Sequence, residues 1–376
     1  MPYDVPHAVS PSLWVLAWKR LLADRVAMVS LAIVAAFLLM MLLSGTGLIA
    51  KDWSREVGVN YAPPSFAGAD AESAAPAPAA PAAGAPSSDA SGEIPVVDPL
   101  ADALAAIRGE APKATSTEPS AAEGQSVDPL ADVMADIKAK GTKADAVEAR
   151  RSTLPFGGDK WGRDVLKKTI KGSETSIFVG LAAAVVATFL GTVFGAMSGY
   201  YGRWLDDIFN WFYSVFTSIP YLLLILAVAA VLQQKGTLTI ILILGLTGWT
   251  GVFRLIRGEY LKHKGREYVQ AADAIGASNV RRMFVHIFPN ISHVVLVQLS
   301  ILTVAFIKSE VILSFLGFGV PVDVVSWGSM LNEAQNELIL GKWWQLAAAG
   351  TAMALLVTAF SLFTDALRDA LDPKLK

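Results

Sequence analysis

The sequence predicts an all-α integral membrane protein with six transmembrane helices, and three observations carry the prediction. Of 376 residues, 53% are hydrophobic and only 17% charged, where a soluble domain of ordinary composition carries about a quarter charged. The apolar residues are bunched into runs close to or above the ~20 residues that cross hydrocarbon as a helix. Short alternating segments of the kind that build a transmembrane β-barrel do not make up these runs.

The runs fall at about 26–50, 177–198, 209–232, 237–256, 291–313 and 344–364. The first follows a polar start, residues 1–25, containing Trp14 and Trp18. It is too long for the apolar region of a cleaved signal, so it is expected to remain as a span. Residues 51–152 then read as a long disordered extracytoplasmic loop. Positions 62–150 are dominated by Ala, Pro, Gly, Ser, Asp and Glu, too little apolar surface to offset the entropy of ordering. Inside this tether an internal repeat recurs at a 30-residue offset, VDPLADALAAIRG (97–109) and VDPLADVMADIKA (127–139). Each copy opens Asp-Pro, an N-cap followed by proline at the first helical position. Two readings stay open, a pair of fraying short helices and a pair that docks on a partner or on the outer membrane face.

From Thr153 the composition changes. FGGDKWGRDVLKKTIKGSETSIFVG predicts a glycine-rich turn, then a short interfacial helix with Val165, Leu166 and Ile170 opposite Lys167, Lys168 and Lys171. Spans two to six follow with short connections, so 153–364 forms one compact core and 365–376 a tail.

Basic residues set the expected orientation. With the start inside, inner segments hold Lys19, Arg20, Arg25, Arg203, Arg257, Lys262, Lys264, Arg266, Arg281, Arg282, Arg368, Lys374 and Lys376, and short outer loops hold only Lys235 and Lys342. Both termini are expected in the cytoplasm.

Several chemistries are excluded. There is no cysteine, hence no disulfide or thiolate site. A net charge of −2 gives no bulk affinity for nucleic acid. No GxxxxGK[ST] phosphate loop occurs. His7, His263, His286 and His293 show no metal-ligand spacing. Asp206 and Asp207 read as a solvated loop or helix cap ahead of an acid/base pair. Lys308 and Glu310, near the outer end of the fifth span, read as an interfacial pair reaching toward water ahead of an intramembrane relay.

EYVQAADAIGASNVRRMFVHIFPN (267–290) separates two apolar runs. It predicts a helix centred on Ala271, Ala272 and Ala274, a turn at Gly276, and a second helix capped by Ser278 with Arg281 and Arg282 exposed. Pro289 is expected to break that helix. Such a helix–turn–helix is either a well-packed inner loop or a small-residue face that receives another chain.

The spacing Gln-Ala-Ala, then Gly four positions on, then His-Ile-Phe-Pro-Asn, resembles the EAA loop of ABC importer permeases. GGDKWGRDVL, GYYGRWLDD, IPYLLLILA, LSFLGFGVP with SWGSML, and DALRDALDPKLK resemble, in order, the second permease of dipeptide/oligopeptide importers. The likeness covers Phe156–Lys376 and the first span. Gln270 stands where that family has the glutamate of its motif, Glu267 lies one turn away, and the tether is foreign to the pattern.

The resemblance implies a type I importer permease core of five helices plus an N-terminal span, in a bacterial cytoplasmic (inner) membrane. It implies a second homologous permease, two ABC ATPase subunits that bind ATP and Mg, and an extracytoplasmic solute-binding protein. No catalytic residue, cofactor or metal is then expected in this chain. Glu267, Gln270, Ala271, Ala272, Gly276, Ala277, Arg281, Arg282, Pro289 and Asn290 are the expected ATPase-coupling residues, and a tryptophan at Gly276 is expected to uncouple hydrolysis from uptake without disturbing insertion. Rival readings are an importer of nickel chelates or glutathione in the same family, a secondary carrier, and a membrane assembly protein.

Overall fold

The computed structural model describes residues 13–68 and 150–371. The 97–109 and 127–139 repeat therefore lies outside the described residues. In chain order the helices are α1 (Leu13–Ala23), α2 (Arg25–Gly45), α3 (Val165–Tyr201), α4 (Arg203–Thr217), α5 (Tyr221–Leu232), α6 (Thr237–Thr247), α7 (Thr250–Lys264) and α8 (Glu267–Ala274). A turn at Asn279–Arg281 and a π-helical turn at Arg282–Ile287 lead into α9 (Phe288–Phe315), followed by α10 (Trp327–Ile339) and α11 (Trp344–Leu371).

Among the described residues, four segments are long and apolar enough to cross a membrane unbroken: α2, α3, the run Asn279–Phe315, and α11. Two bent pairs, α4 with α5 at 86° and α6 with α7 at 40°, bring the crossings to as many as six. The run expected to be one straight third span is thus two helices. Pro220 causes the break, since it offers no N–H to the preceding turn and disfavours the helical conformation at Ile219.

The central post is α3. It is one continuous helix of 37 residues, so the expected separate interfacial helix over Val165–Ile170 is corrected to its first turns. Asp164 starts it, with Oδ1 accepting the N–H groups of Leu166 and Lys167 at 2.9 and 3.4 Å. Gly191, Gly195 and Gly199 stack one turn apart against α7. A Cβ on them would lie 2.7 Å from Trp249 O, 2.8 Å from Phe253 O and 2.6 Å from Arg257 O. Small residues let helix backbones meet where lipid offers no hydrophobic drive for association. Gly180 does the same against Ile307 of α9. Ala183 and Ala187 of α3 are buried in one cluster with Ile240 and Leu244 of α6 and Phe306 of α9.

At one end of α3 the segments 51–68 and 150–164 form a cap. Gly58 N–H donates to Gly162 O at 2.9 Å, Tyr61 N–H to Asp159 O at 2.9 Å, and Gly158 N–H to Ala62 O at 2.7 Å. Trp344 of α11 donates its indole N–H to Gly158 O at 2.7 Å. Residues 51–68 are therefore folded, although the composition of the loop around them suggested a tether from position 51 onward. The boundary lies within the run that the low-complexity reading merged.

Lys308 and Glu310 are not an interfacial pair. Two residues apart on a helix, they point to different sides: Lys308 is exposed, while Glu310 is fully buried and accepts from Ser314 Oγ at 2.7 Å. Asp206 is not simply solvated either. Arg257 Nε and Nη2 clamp its two oxygens at 2.6 Å each, Asn210 Nδ2 donates to it at 2.8 Å, and the Ser198 hydroxyl completes the set. That fork joins the end of α3 and the start of α4 to the middle of α7, a bidentate geometry that arginine supplies.

Candidate functional site

The 267–290 loop folds as the helix–turn–helix its pattern predicts, with two changes of detail. Helix α8 ends at Gly276, which adopts φ +81° and lets its N–H reach Asp273 O at 2.8 Å while Ala277 N–H reaches Ala272 O at 3.0 Å. A left-handed residue after the last turn is the usual helix stop, and glycine alone takes it without strain. Ser278 caps the next turn through Arg281 N–H at 3.4 Å. Pro289 does not break the chain there. It falls in the first turn of α9, directly after the π-helical turn, where Phe288 N–H already reaches back five residues to Met283 O. The looser turn absorbs the proline, so Asn279–Phe315 forms one continuous rod. Asn290 Nδ2 donates to His286 O at 2.7 Å.

The loop has an inner and an outer face. Val269, Met283 and Ile287 are buried in one cluster with Ala196 and Tyr200 of α3 and Ile256 and Tyr260 of α7, and Ala272 is buried as well. Ala272 is thus an anchor rather than part of the open face, and Ala277 is half-buried. Glu267, Gln270, Ala271, Gly276, Arg281, Pro289 and Asn290 are exposed. Beside them stand Ile275 at 83% and Val280 at 60% exposure, with Phe284 and Val285 also open. These apolar side chains were not among the expected contact residues. Their lack of helical periodicity hid them, since they sit on the turn and on the π segment.

Arg281 and Arg282 were expected to be alike, and the structure separates them. Arg281 is exposed, while Arg282 folds back to form an ion pair with Asp273 and donates to Asn279 Oδ1 at 2.5 Å. Its guanidinium also lies 6.0 Å from the Tyr200 ring centroid. Tyr200 OH in turn donates to Asn279 at 3.1 Å, and Lys264 Nζ to Tyr200 O at 2.6 Å. Gln270 Nε2 reaches Gly265 O at 3.3 Å.

The other polar concentration lies at the cap end. Lys168 of α3 is buried and donates to Asp159 Oδ2 at 2.8 Å, Glu333 Oε2 at 2.5 Å and Gln345 Oε1 at 3.3 Å. Cap, α3, α10 and α11 meet on that one ammonium. Glu337 sits behind it, 2% exposed, with neither carboxylate oxygen hydrogen-bonded. Burial pushes its carboxyl up to about 7; Lys168 opposes the shift, and Asp159 and Glu333 add to it. Among the described residues no group of acidic or histidine side chains could hold a metal ion.

Apolar helices long enough to cross a bilayer, packed around one post, make this a helical integral membrane protein by class. Comparison with known proteins gives the family. The family described as binding-protein-dependent transport system inner membrane component matches residues 191–376, and the N-terminal transmembrane domain of oligopeptide transport permease C matches residues 12–64. The dipeptide transport system permease protein DppC of Bacillus subtilis (strain 168) is 38% identical over 221 residues, 59% of this chain and 69% of that protein. The oligopeptide transport system permease protein OppC of the same organism is 38% identical over 59% of this chain and 72% of its own length. OppC of Haemophilus influenzae is 34% identical over 58% and 70%. The chain belongs to this family of ABC importer permeases, in the dipeptide/oligopeptide branch. It is a multi-pass inner-membrane transport permease.

Proposed function

We propose that the chain forms half of the translocation pathway of an ATP-driven importer of di- or oligopeptides, and that the 267–290 loop receives a separate ATPase subunit. In this reading a second homologous permease completes the pathway, two ATPase subunits bind ATP and Mg, and a solute-binding protein delivers the peptide. The loop end of the bundle and both termini then lie in the cytoplasm, and the cap lies outside, as the distribution of basic residues favours. Peptide cargo is favoured by the relatives named for dipeptide and oligopeptide transport.

The observation that carries the coupling role is the asymmetry of the loop. Its inner face is buried against α3 and α7, while Ala271, Ile275, Val280 and Phe284 are each exposed. An apolar patch of that kind on an otherwise anchored loop marks an interaction site. Because the π turn joins Asn279–Ile287 to α9 without a break, a push on Val280 or Phe284 acts on α9 with no intervening hinge.

The test is a substitution on the open face. Gly276→Trp would not serve, because φ +81° strains any other residue and would confuse a folding defect with an uncoupling one. Ala271→Trp avoids this. Reconstituted with its partners, that variant is expected to assemble poorly with the ATPase or to lose transport-coupled hydrolysis while inserting and melting normally. Wild-type transport by Ala271→Trp would overturn the assignment.

A further inference from the structure

The first helix and the seam behind it take no part in the coupling loop or in the two buried polar clusters. Helix α1 packs one stripe on protein: Ala17 and Leu21 are buried with Leu367, Ala370 and Leu371 of α11. Its opposite stripe, Val15, Trp18 and Leu22, runs on into Val26 and Val29 of α2, and all five are between 47% and 61% exposed. The start of the chain is therefore not a polar segment throughout. It carries an amphipathic helix wedged between α11 and whatever surrounds the bundle.

At the junction, Asp24 Oδ1 accepts the N–H groups of Val26 and Ala27 at 2.8 and 3.3 Å. Arg25 is then the first residue of α2, where the helix dipole disfavours a cation. It is exposed and forms no salt bridge with a described residue. From Arg25 a cavity of about 330 Å³ extends between α2 and α11, walled by Val29, Ile33, Leu355, Thr358 and Leu362. It reaches Leu355, which also lines a larger apolar cavity of about 470 Å³ beneath Trp343 and Trp344. Both walls of the seam are helices long and apolar enough to cross a membrane.

We propose that this seam binds an anionic phospholipid, with its phosphate at Arg25 and one acyl chain between α2 and α11. An apolar groove flanked by membrane-crossing helices opens into hydrocarbon, so an acyl chain fills it at no cost in stripped water. The mouth carries charge, and Lys19 on α1 adds a second exposed cation at the same end. Trp18, 53% exposed on α1, is the residue type that settles at head-group level. A zwitterionic lipid would bring a choline cation toward the two basic side chains, and free phosphate would leave the groove unused. The lipid would fix α1 and α2 against α11, which α1 meets through a narrow stripe.

The absence of cysteine from the chain makes the test clean. The full chain is released from nanodiscs of equal phosphatidylcholine and phosphatidylglycerol, and retained lipids are counted by native mass spectrometry. Wild type is expected to keep phosphatidylglycerol preferentially. Arg25→Gln should lower that preference about fivefold, the worth of one basic residue near an anionic surface. Thr358→Trp, at an exposed wall position, should expel both lipids, and Lys262→Gln on α7 should change neither. Equal retention of the two lipids by wild type, or unchanged retention by Arg25→Gln and Thr358→Trp, overturns the proposal. So does a Thr358→Cys crosslink to the second permease in the assembled transporter, which would put protein in the seam.

Discussion

Glu337 should make the stability of the chain depend on pH in the direction opposite to most carboxylates. Its carboxyl is held at about 7 against an ordinary 4.5, first by burial. A raised folded value means that, between those two pH values, the folded protein keeps a proton that the unfolded chain has lost. Stability is therefore greatest at and below pH 4.5 as far as this group is concerned, falls as pH rises toward 7, and is flat above. At about 1.4 kcal/mol per pH unit the full loss is about 3 kcal/mol. The other charges around the site are Lys168 on α3, Asp159 in the cap and Glu333 on α10. Asp52, whose carboxyl is held below the usual range by Lys167, loses its contribution only in more acid solution. Glu337→Gln keeps the shape and the neutral state. It should abolish the slope and melt higher than wild type at pH 8, by on the order of 5–10 °C, while matching it at pH 4.5. The assay is thermal unfolding in detergent followed by tryptophan emission across pH 4.5–8. A slope that survives in Glu337→Gln, or wild-type stability that rises from pH 5 to 7, would refute the reasoning.

Two further expectations concern the post. Gly195→Leu should prevent α3 and α7 from closing, since even a Cβ there would sit 2.8 Å from Phe253 O; Gly195→Ala should cost about 1–3 kcal/mol. Gly251→Ala, with nothing within 4 Å, should be neutral, and protease resistance in membranes separates the three. Arg257→Met should cost about 2 kcal/mol by stranding the partly buried Asp206. The double variant Arg257→Met/Asp206→Asn should recover more than half of that, read as a coupling energy in a double-mutant cycle.

Much of the bundle was legible because bilayer thickness acts directly on sequence: a run such as 291–313 has few structural meanings. The helix–turn–helix at 267–290 was legible for a local reason, since Ser278 and Gly276 are cap residues whose backbone preferences do not wait on tertiary contacts. What could not be read were facts about partners distant in sequence. Lys167, Lys168 and Lys171 look alike along the chain, and only the arrival of Asp159, Glu333 and Gln345 makes Lys168 an interior residue. Likewise Glu310 and Lys308 look like a pair until the helix turns one of them inward. The spacing of Gly191, Gly195 and Gly199 was visible as small residues one turn apart and could have placed the α3–α7 contact. The identity of the opposing helix could not come from spacing alone. Within the loop, Ala271 and Ala272 are neighbours of one type, and 100° of helical rotation separates an open position from an anchor.

The two polar clusters and the loop share one helix, and that arrangement has a mechanical consequence. At one end of α3, Ser198 touches the Asp206–Arg257 fork and Tyr200 meets Asn279 and Arg282 of the loop. At the other end, Lys168 gathers the cap, α10 and α11. An unbroken helix of 37 residues at 1.5 Å per residue spans about 55 Å, more than the hydrocarbon thickness. Glycine contacts hold α3 closely against α7 and α9 between those ends. Buried charge at both ends and small residues between them are thus what join the loop end of the bundle to its cap.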